Sequence, residues 1–411
     1  MSSIFPRHNR KLIVEGLEDT RVVFVTGARQ VGKTTLTRDI ATHEHPLVQV
    51  SFDDDDVRAA AQDDPVGFVA SLPGPALIDE VQRAPGLLLA IKSVVDRNPE
   101  PGQFLLTGSA NLLASRQVKD ALTGRIDSVP LWPLSQSEIQ GGSLNFVDRL
   151  FAAEPPWIEN AQVGRNAFVS VLAEGGYPEA RIREGRRRRR WFRNYVDTTL
   201  DRDLRELSDA IKLDAMPRLL RLLASQTANL LSYRAVAQRL GLHHDTVKGY
   251  VALLEQACLV AKLPAWRPGL GAREVATPKI YLVDTGLLTD LLGADEQRIR
   301  GDDQITGKAL ENFVATELLK HLEWAETPAR LHHYQRQKAD IDLVLEAADS
   351  SLAAVEVKAA ATVTQGDTKR VRELRDRTGD RFRAGVILCA RAETVPLGDR
   401  LWAVPISGLW A

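Results

Sequence analysis

Cysteine is nearly absent: Cys258 and Cys389 are the two in 411 residues. Two thiols so far apart exclude a disulfide framework and a thiolate zinc site. An excess of charge of one sign is missing too, with 53 Lys and Arg against 54 Asp and Glu for a formal net charge of −1. No global field therefore pulls the chain toward nucleic acid or a membrane, and any attraction must come from local patches. No apolar run reaches the roughly eighteen residues needed to cross a bilayer. The opening Met1-Ser-Ser-Ile-Phe-Pro-Arg-His has no signal-peptide core. A reducing cytoplasm is the expected setting, with no membrane partner. There is no internal repeat, and the length suits two or three domains, each able to bury its own core.

What is present starts with Val22-Val23-Phe24-Val25-Thr26, an apolar run that reads as a buried strand. It leads straight into Gly27-Ala28-Arg29-Gln30-Val31-Gly32-Lys33-Thr34-Thr35. This is the phosphate-binding pattern of two glycines with four residues between them, followed by Lys and Thr. Gly27 and Gly32 permit backbone angles that turn successive N–H groups onto phosphate oxygens. Lys33 brings a mobile charge for the terminal phosphates, and the Thr34 hydroxyl can ligate Mg²⁺. A helix expected to begin near Lys33 aims its positive end at the same anion. The expected ligand is ATP with Mg²⁺.

Pro75-Ala76-Leu77-Ile78-Asp79-Glu80 reads as a second strand ending in two carboxylates. Alternation sends them in different directions, which suits Asp79 to the metal and Glu80 to the attacking water as general base. The strand ending Leu105-Leu106-Thr107-Gly108-Ser109-Ala110-Asn111 puts Ser109 and Asn111 forward to touch the γ-phosphate or orient water. Arg125, in Leu122-Thr123-Gly124-Arg125, is a candidate arginine finger. Such a residue commonly acts on a neighbouring subunit, and in that case a homo-oligomer is required; a surface arginine is the alternative.

These segments, in this order, resemble AAA+ ATPases. The likeness extends through Gly175-Gly176-Tyr177-Pro178-Glu179, Pro278-Lys279-Ile280-Tyr281-Leu282-Val283-Asp284-Thr285-Gly286-Leu287 and Glu356-Val357-Lys358 to a group of prokaryotic AAA-like ATPases with a C-terminal region of unknown function. The resemblance implies an α/β fold in four parts. Residues 1–140 would form a parallel-sheet P-loop AAA+-like domain, 141–218 a linker and helical region, and 219–300 a winged-helix-like domain. Residues 301–411 would form a mixed α/β restriction-endonuclease-like domain.

Tyr233–Leu240 is amphipathic, Gly241-Leu242 breaks it, and His244-Asp245-Thr246 can cap a second helix carrying Val247, Tyr250, Val251 and Leu254. That is a helix–turn–helix, and in DNA-bound examples the second helix enters the major groove. His243, His244, Thr246 and Lys248 would face bases, although such modules also mediate protein contacts. Arg186, Arg187, Arg188, Arg189 and Arg190 are consecutive, flanked by Arg181, Arg183 and Arg193. Spread around a helix, some suit phosphate contact; a solvated face or pairing with Asp53–Asp56 is the alternative. The acidic run itself reads as a solvated loop.

Near the end, Asp340-Ile341-Asp342 opens one strand, and Glu356 and Lys358 lie two apart on the next, hence on one face. Two carboxylates and an amine suit Mg²⁺-assisted phosphodiester cleavage: Asp342 and Glu356 hold the metal while Lys358 assists the nucleophile. The pattern matches the restriction-endonuclease-like D followed by E-x-K, with Glu311 on a preceding helix as a further carboxylate. Asp340 stands where the family has Glu, which leaves Asp342 as the ligand and Asp340 exposed. The expected activity is an ATPase acting on nucleic acid, DNA foremost, with nucleotide-controlled binding or cleavage. The alternative is an ATP-dependent switch that binds a protein partner through a non-catalytic C-terminal domain.

Overall fold

In the computed structural model the described residues are 5–108, 123–203, 213–268, 273, 276–336 and 339–411. They divide into two compact units, residues 1–133 with 256–258, and 134–255 with 259–411.

The first unit is built on five parallel strands: β1 (Val22–Gly27), β2 (Val48–Ser51), β3 (Ala76–Asp79), β4 (Phe104–Thr107) and β5 (Ile126–Leu131), in the order β2-β3-β4-β1-β5. β1, β3 and β4 are buried along their whole length, as expected for a sheet covered by helices on both faces. Alternation divides their side chains. Val22, Phe24, Ala76, Ile78, Phe104 and Leu106 join one core with Leu87, Leu88 and Ile91 of the helix Leu87–Arg97. The side chains between them, Val23, Val25, Leu77 and Leu105, are equally buried. The helices Asn9–Asp19 and Lys33–His43 lie against β1. All five strands run the same way, so the ends of β1, β3 and β4 meet at one edge, where a ligand crevice is expected.

The acidic run is not a plain loop. Asp54 caps the helix Asp55–Asp63 by accepting from the backbone N–H groups of Asp56 and Val57, and Asp53 pairs with Arg83 at 2.8 Å. Carboxylates at a helix start are held by its exposed amides and dipole.

The second unit holds the helices Met216–Ser225, Tyr233–Leu240 and His244–Gln256, followed by an antiparallel ribbon of β6 (Val260–Leu263) and β7 (Lys279–Leu282). Ser232 caps the middle helix, and Gly241, at φ +68°, ends it in the left-handed conformation. The third helix starts at His244 itself, so His243 precedes it and accepts from the Asp245 N–H.

Six further strands form a mixed sheet: β8 (Ala329–Arg336), β9 (Ala339–Ala347), β10 (Leu352–Lys358), β11 (Phe382–Cys389), β12 (Val395–Gly398) and β13 (Leu401–Pro405). Their order is β12-β13-β11-β10-β9-β8, antiparallel from β8 to β10 and parallel from β10 through β11 to β13. A bulge at His333 lets the chain after β6 pair with β8: Trp266 N–H donates to the His333 carbonyl, and His333 N–H to Pro264. The long helix Asp303–Leu322 docks on β7 through Asn312, whose amide exchanges two hydrogen bonds with the Leu282 backbone.

The Gly-Gly-Tyr-Pro and Asp-Thr-Gly segments interlock in this unit. Asp284 is 2 % exposed, caps the helix Thr285–Leu291 and accepts from the Gly176 N–H at 2.6 Å. Gly175, at φ +67°, lies so near that a Cβ there would stand 2.4 Å from the Asp284 carboxylate.

Candidate nucleotide site and a second carboxylate cluster

β1 ends in the loop from Gly27 to Gly32. Gly27 has φ +143°, and a Cβ on it would lie 2.1 Å from the Leu131 carbonyl oxygen of neighbouring β5. Only glycine fits that approach. Gln30, at φ +59°, and Gly32, at φ +100°, complete the left-handed turns, and a Cβ built on Gly32 would meet nothing beyond its chain neighbours within 4 Å. Lys33 follows as the first residue of the helix. Its ammonium is buried and donates to the carbonyls of Gly27 at 3.0 Å and Ala28 at 2.9 Å, while burial lowers its pKa. Arg7 braces the loop from outside, donating to Val31 and Trp132 carbonyls. Nothing in the spacing of the motif pointed to Arg7.

Thr34 Oγ1 donates to Asp79 Oδ1 at 3.0 Å, joining the helix start to the tip of β3. Asp79 is 2 % exposed and also faces Arg38 at 3.6 Å. Thr107, the last residue of β4, donates to the same Asp79 oxygen and accepts the Glu80 N–H at 3.0 Å. Glu80 adopts φ +59°, ψ +44°, a strained conformation for a side-chain-bearing residue and one that clusters at functional sites. Gln82 donates to its carboxylate. The strand tips thus bring Thr34, Asp79 and Glu80 together. Thr107 is the polar group of the β4 tip within the described residues; Ser109 and Asn111 lie outside them. Arg29 is half-buried, and Gln30 and Thr35 are exposed.

The loop fits a polyphosphate, with glycine-defined open space, a buried ammonium and the start of an eleven-residue helix at one place. The hydroxyl of Thr34 beside the Asp79 carboxylate is a hard oxygen donor set of the kind Mg²⁺ takes. Arg125 lies elsewhere. Its backbone carbonyl accepts the Val22 N–H at the opening of β1, and its guanidinium pairs with Asp96. In a parallel sheet that is the end of the strands opposite the loop.

The second unit contains another polar centre. The β9–β10 ladder ends at Leu343–Val355, and beyond it side chains replace backbone partners. Asp342 Oδ2 accepts the Val357 N–H at 2.9 Å, and Glu356 accepts the Asp342 N–H at 3.4 Å. Lys358 Nζ stands 3.0 Å from Glu356 and 3.6 Å from Asp367. Glu311, on the helix Asp303–Leu322, turns to the same region but is held by β7: Lys279 Nζ donates to its Oε1 at 2.8 Å and Tyr281 Oη at 2.9 Å. Burial and the neighbouring Asp342 carboxylate push Glu311 up to about 8 and Glu356 up to about 7, and burial raises Asp342 as well. Asp340 is exposed. Asp342, Glu356, Lys358 and Glu311 are the residues that the sequence pattern names. It missed Lys279 and Tyr281, whose i, i+2 spacing on β7 was the available signal.

The arginine run occupies the helix Gly185–Thr198. Arg188 turns inward, donating to the Ala180 and Arg183 carbonyls and facing Glu174, while Arg189 faces Asp295 at 3.8 Å. Arg186, Arg187 and Arg190 are exposed. At helical spacing Arg186, Arg190 and Arg193 share one face. His244 and Lys248 are exposed and Thr246 half-buried; both His243 and His244 face Asp245.

An AAA domain is matched by residues 19–140, and two domains of unknown function by the rest, DUF8612 over 165–298 and DUF4143 over 306–409. The uncharacterized proteins Rv2008c of Mycobacterium tuberculosis and Mb2031c of Mycobacterium bovis are each 31% identical over 328 residues, 79% of this chain and 67% of theirs. Among solved structures, the Walker-type ATPase PABY2304 of Pyrococcus abyssi overlaps with a TM-score of 0.45 at 18% identity, over 70% of this chain and 96% of that one. The RuvB Holliday junction branch migration motor of Thermotoga maritima overlaps at 0.30 and 19% identity, over 64% and 93%. The AAA domain and the P-loop on its parallel sheet make the first unit AAA-like and ATPase-like, followed by a mixed-sheet C-terminal region. Among the described residues no helix is long and apolar enough to cross a membrane.

Proposed function

The chain belongs to the family of the uncharacterized mycobacterial proteins Rv2008c and Mb2031c, and from its site we propose that it is an Mg²⁺-dependent ATP hydrolase that acts on nucleic acid under nucleotide control. One observation carries the first half: Thr34, Asp79, Thr107 and Glu80 form one hydrogen-bonded series across the helix start and two strand tips, beside the buried Lys33. Thr34 and Asp79 would hold Mg²⁺, which when bound neutralises charge developing on the transferred phosphoryl group. Lys33 leaves the Gly27 and Ala28 carbonyls for phosphate oxygens. Glu80 takes the proton of the attacking water at its carboxylate, and Thr107 fixes the Glu80 backbone relative to Asp79. Arg125 serves only from a second copy of the chain, since its own subunit keeps it at the opposite sheet edge.

Three features support the nucleic-acid half, with DNA as the favoured form. We read the three helices and the β6–β7 ribbon as a winged-helix-like module, presenting His244, Thr246 and Lys248 at the start of its last helix. The exposed Arg186 and Arg190 share a face with Arg193, suiting a phosphate backbone. The six-stranded sheet, with Asp342, Glu356 and Lys358 converging where β9 and β10 part, is read as restriction-endonuclease-like. The test is filter retention and cleavage of labelled duplex, branched and single-stranded DNA with Mg²⁺, with and without ATP, at several salt concentrations. ATP-dependent retention that falls steeply with salt and weakens in an Arg186→Ala/Arg190→Ala double variant supports the reading. Cutting that is lost in Glu356→Ala would add the nuclease step. Indifference to every DNA form overturns the nucleic-acid half in favour of an ATP-dependent switch with a protein partner.

A further inference from the structure

The carboxylate cluster contains a second cation, Lys279, besides the Lys358 of the Asp…Glu-x-Lys pattern. β7 places Lys279 and Tyr281 two residues apart on one face, and both donate to the same oxygen, Oε1 of Glu311. Lys279 is 5 % exposed, so its charge is not shared with bulk water. It feels Glu311, Asp342 and Asp340 together, and it pairs with Glu311 as Lys358 pairs with Glu356. Three inward carboxylates, Glu311, Asp342 and Glu356, thus face two ammonium groups. Buried charges are tolerated when they are paired in this way.

We propose that Lys279 is the built-in counter-cation of this cluster, and that a divalent metal ion entering it competes with the Lys279 ammonium for Glu311. The inference rests on reading the cluster as a divalent-cation site. It goes further in assigning to the β6–β7 ribbon, rather than to the six-stranded sheet, control over how readily the ion binds. An ion held by Asp342 and Glu356 would sit on the Asp342 carboxylate, whose charge Lys279 and Glu311 both feel, and like charges in a poorly solvated site oppose one another. Tyr281 supplies a neutral hydrogen bond to the same oxygen and makes no such opposition.

The probe is Mn²⁺, titrated at pH 8 into the nucleotide-free full chain and followed by electron paramagnetic resonance. A Thr34→Ala background silences the loop site. Lys279→Met is expected to bind Mn²⁺ at least about tenfold more tightly than the parent, because one opposing charge is gone. Lys279→Arg and Tyr281→Phe should stay within about threefold of it, since each keeps the charge. Circular dichroism checks folding, and Lys279→Gln replaces Lys279→Met if the latter does not fold. Equal or weaker binding in the charge-removing variant, with binding abolished by Glu356→Gln in both, overturns the proposal and leaves the metal site standing. No Mn²⁺ bound by any variant overturns the metal site and the proposal together.

Discussion

At the scale of single residues, the candidate nucleotide site is built from groups with very different visibility. Gly27, Gly32, Lys33 and Thr34 declare themselves because one continuous segment supplies loop, charge and hydroxyl. Asp79 and Glu80 are nearly as plain, since an apolar strand that ends in two acids beside such a loop has few other uses. Thr107 and Arg7 do not declare themselves: each acts across the sheet or onto the loop from a distant segment, and no local pattern encodes that partnership. Thr107 is nevertheless the hinge between Asp79 and Glu80. Thr107→Val keeps the shape and removes the hydroxyl, leaving the Glu80 N–H and the Asp79 carboxylate each short of a partner. The expected result is a turnover loss of about tenfold or more with nucleotide affinity changed far less, and near-normal turnover in Thr107→Ser. Steady-state ATPase assays beside fluorescent-nucleotide binding read both numbers, and an unaltered Thr107→Val would remove Thr107 from the site.

Elements were legible where hydrophobicity is simple. The apolar strand β1 stands within a residue of where the sequence puts it, and β3 lies inside the segment Pro75–Glu80, because their burial is continuous. β8 escaped. Its Ala329–Arg336 segment carries Arg330, His332, His333, Gln335 and Arg336, and its bulge at His333 breaks the alternation by which strands are recognised. The Gly-Gly-Tyr-Pro and Asp-Thr-Gly segments read as marks of a family. Their structure gives them a packing reason: Asp284 occupies the room that a side chain on Gly175 would need. Gly175→Ala therefore meets both a left-handed backbone and a buried carboxylate. It should cost the second unit about 2 kcal/mol or more of stability. Thermal or urea unfolding measures this, and a cost near zero would mean that Asp284 can move aside.

At the scale of the whole molecule, the sequence yielded the α/β character of both ends and the AAA-like order of the first unit. It did not yield the placing of the β7 lysine against the Asp303–Leu322 helix, because strand order and docking are long-range outcomes. The acid response of the second unit belongs to this scale. His332 and His333 are 5 % and 1 % exposed, and burial lowers both to about 4; neither ring nitrogen of His332 has a hydrogen-bond partner among the described residues. Unfolded, each titrates near 6.5. Their neutral forms are thus favoured in the fold, so their contribution is fully present above about pH 6.5 and is lost as pH falls toward 4. Glu311 and Glu356, raised in the fold, act in the opposite sense, so the readout is the difference between proteins: as pH falls across that window the melting temperature of His332→Phe should fall less, or rise more, than that of the parent. An identical pH profile in the variant would contradict this assignment.

The account stands or falls on the loop as an ATP-hydrolysing centre. The most direct measurement is phosphate release from ATP with Mg²⁺ by the full chain, compared with Lys33→Ala and Glu80→Gln. The expected outcome is turnover by the parent and a loss of about a hundredfold or more in both variants, with Glu80→Gln still binding nucleotide. Equal phosphate release from all three proteins would contradict it.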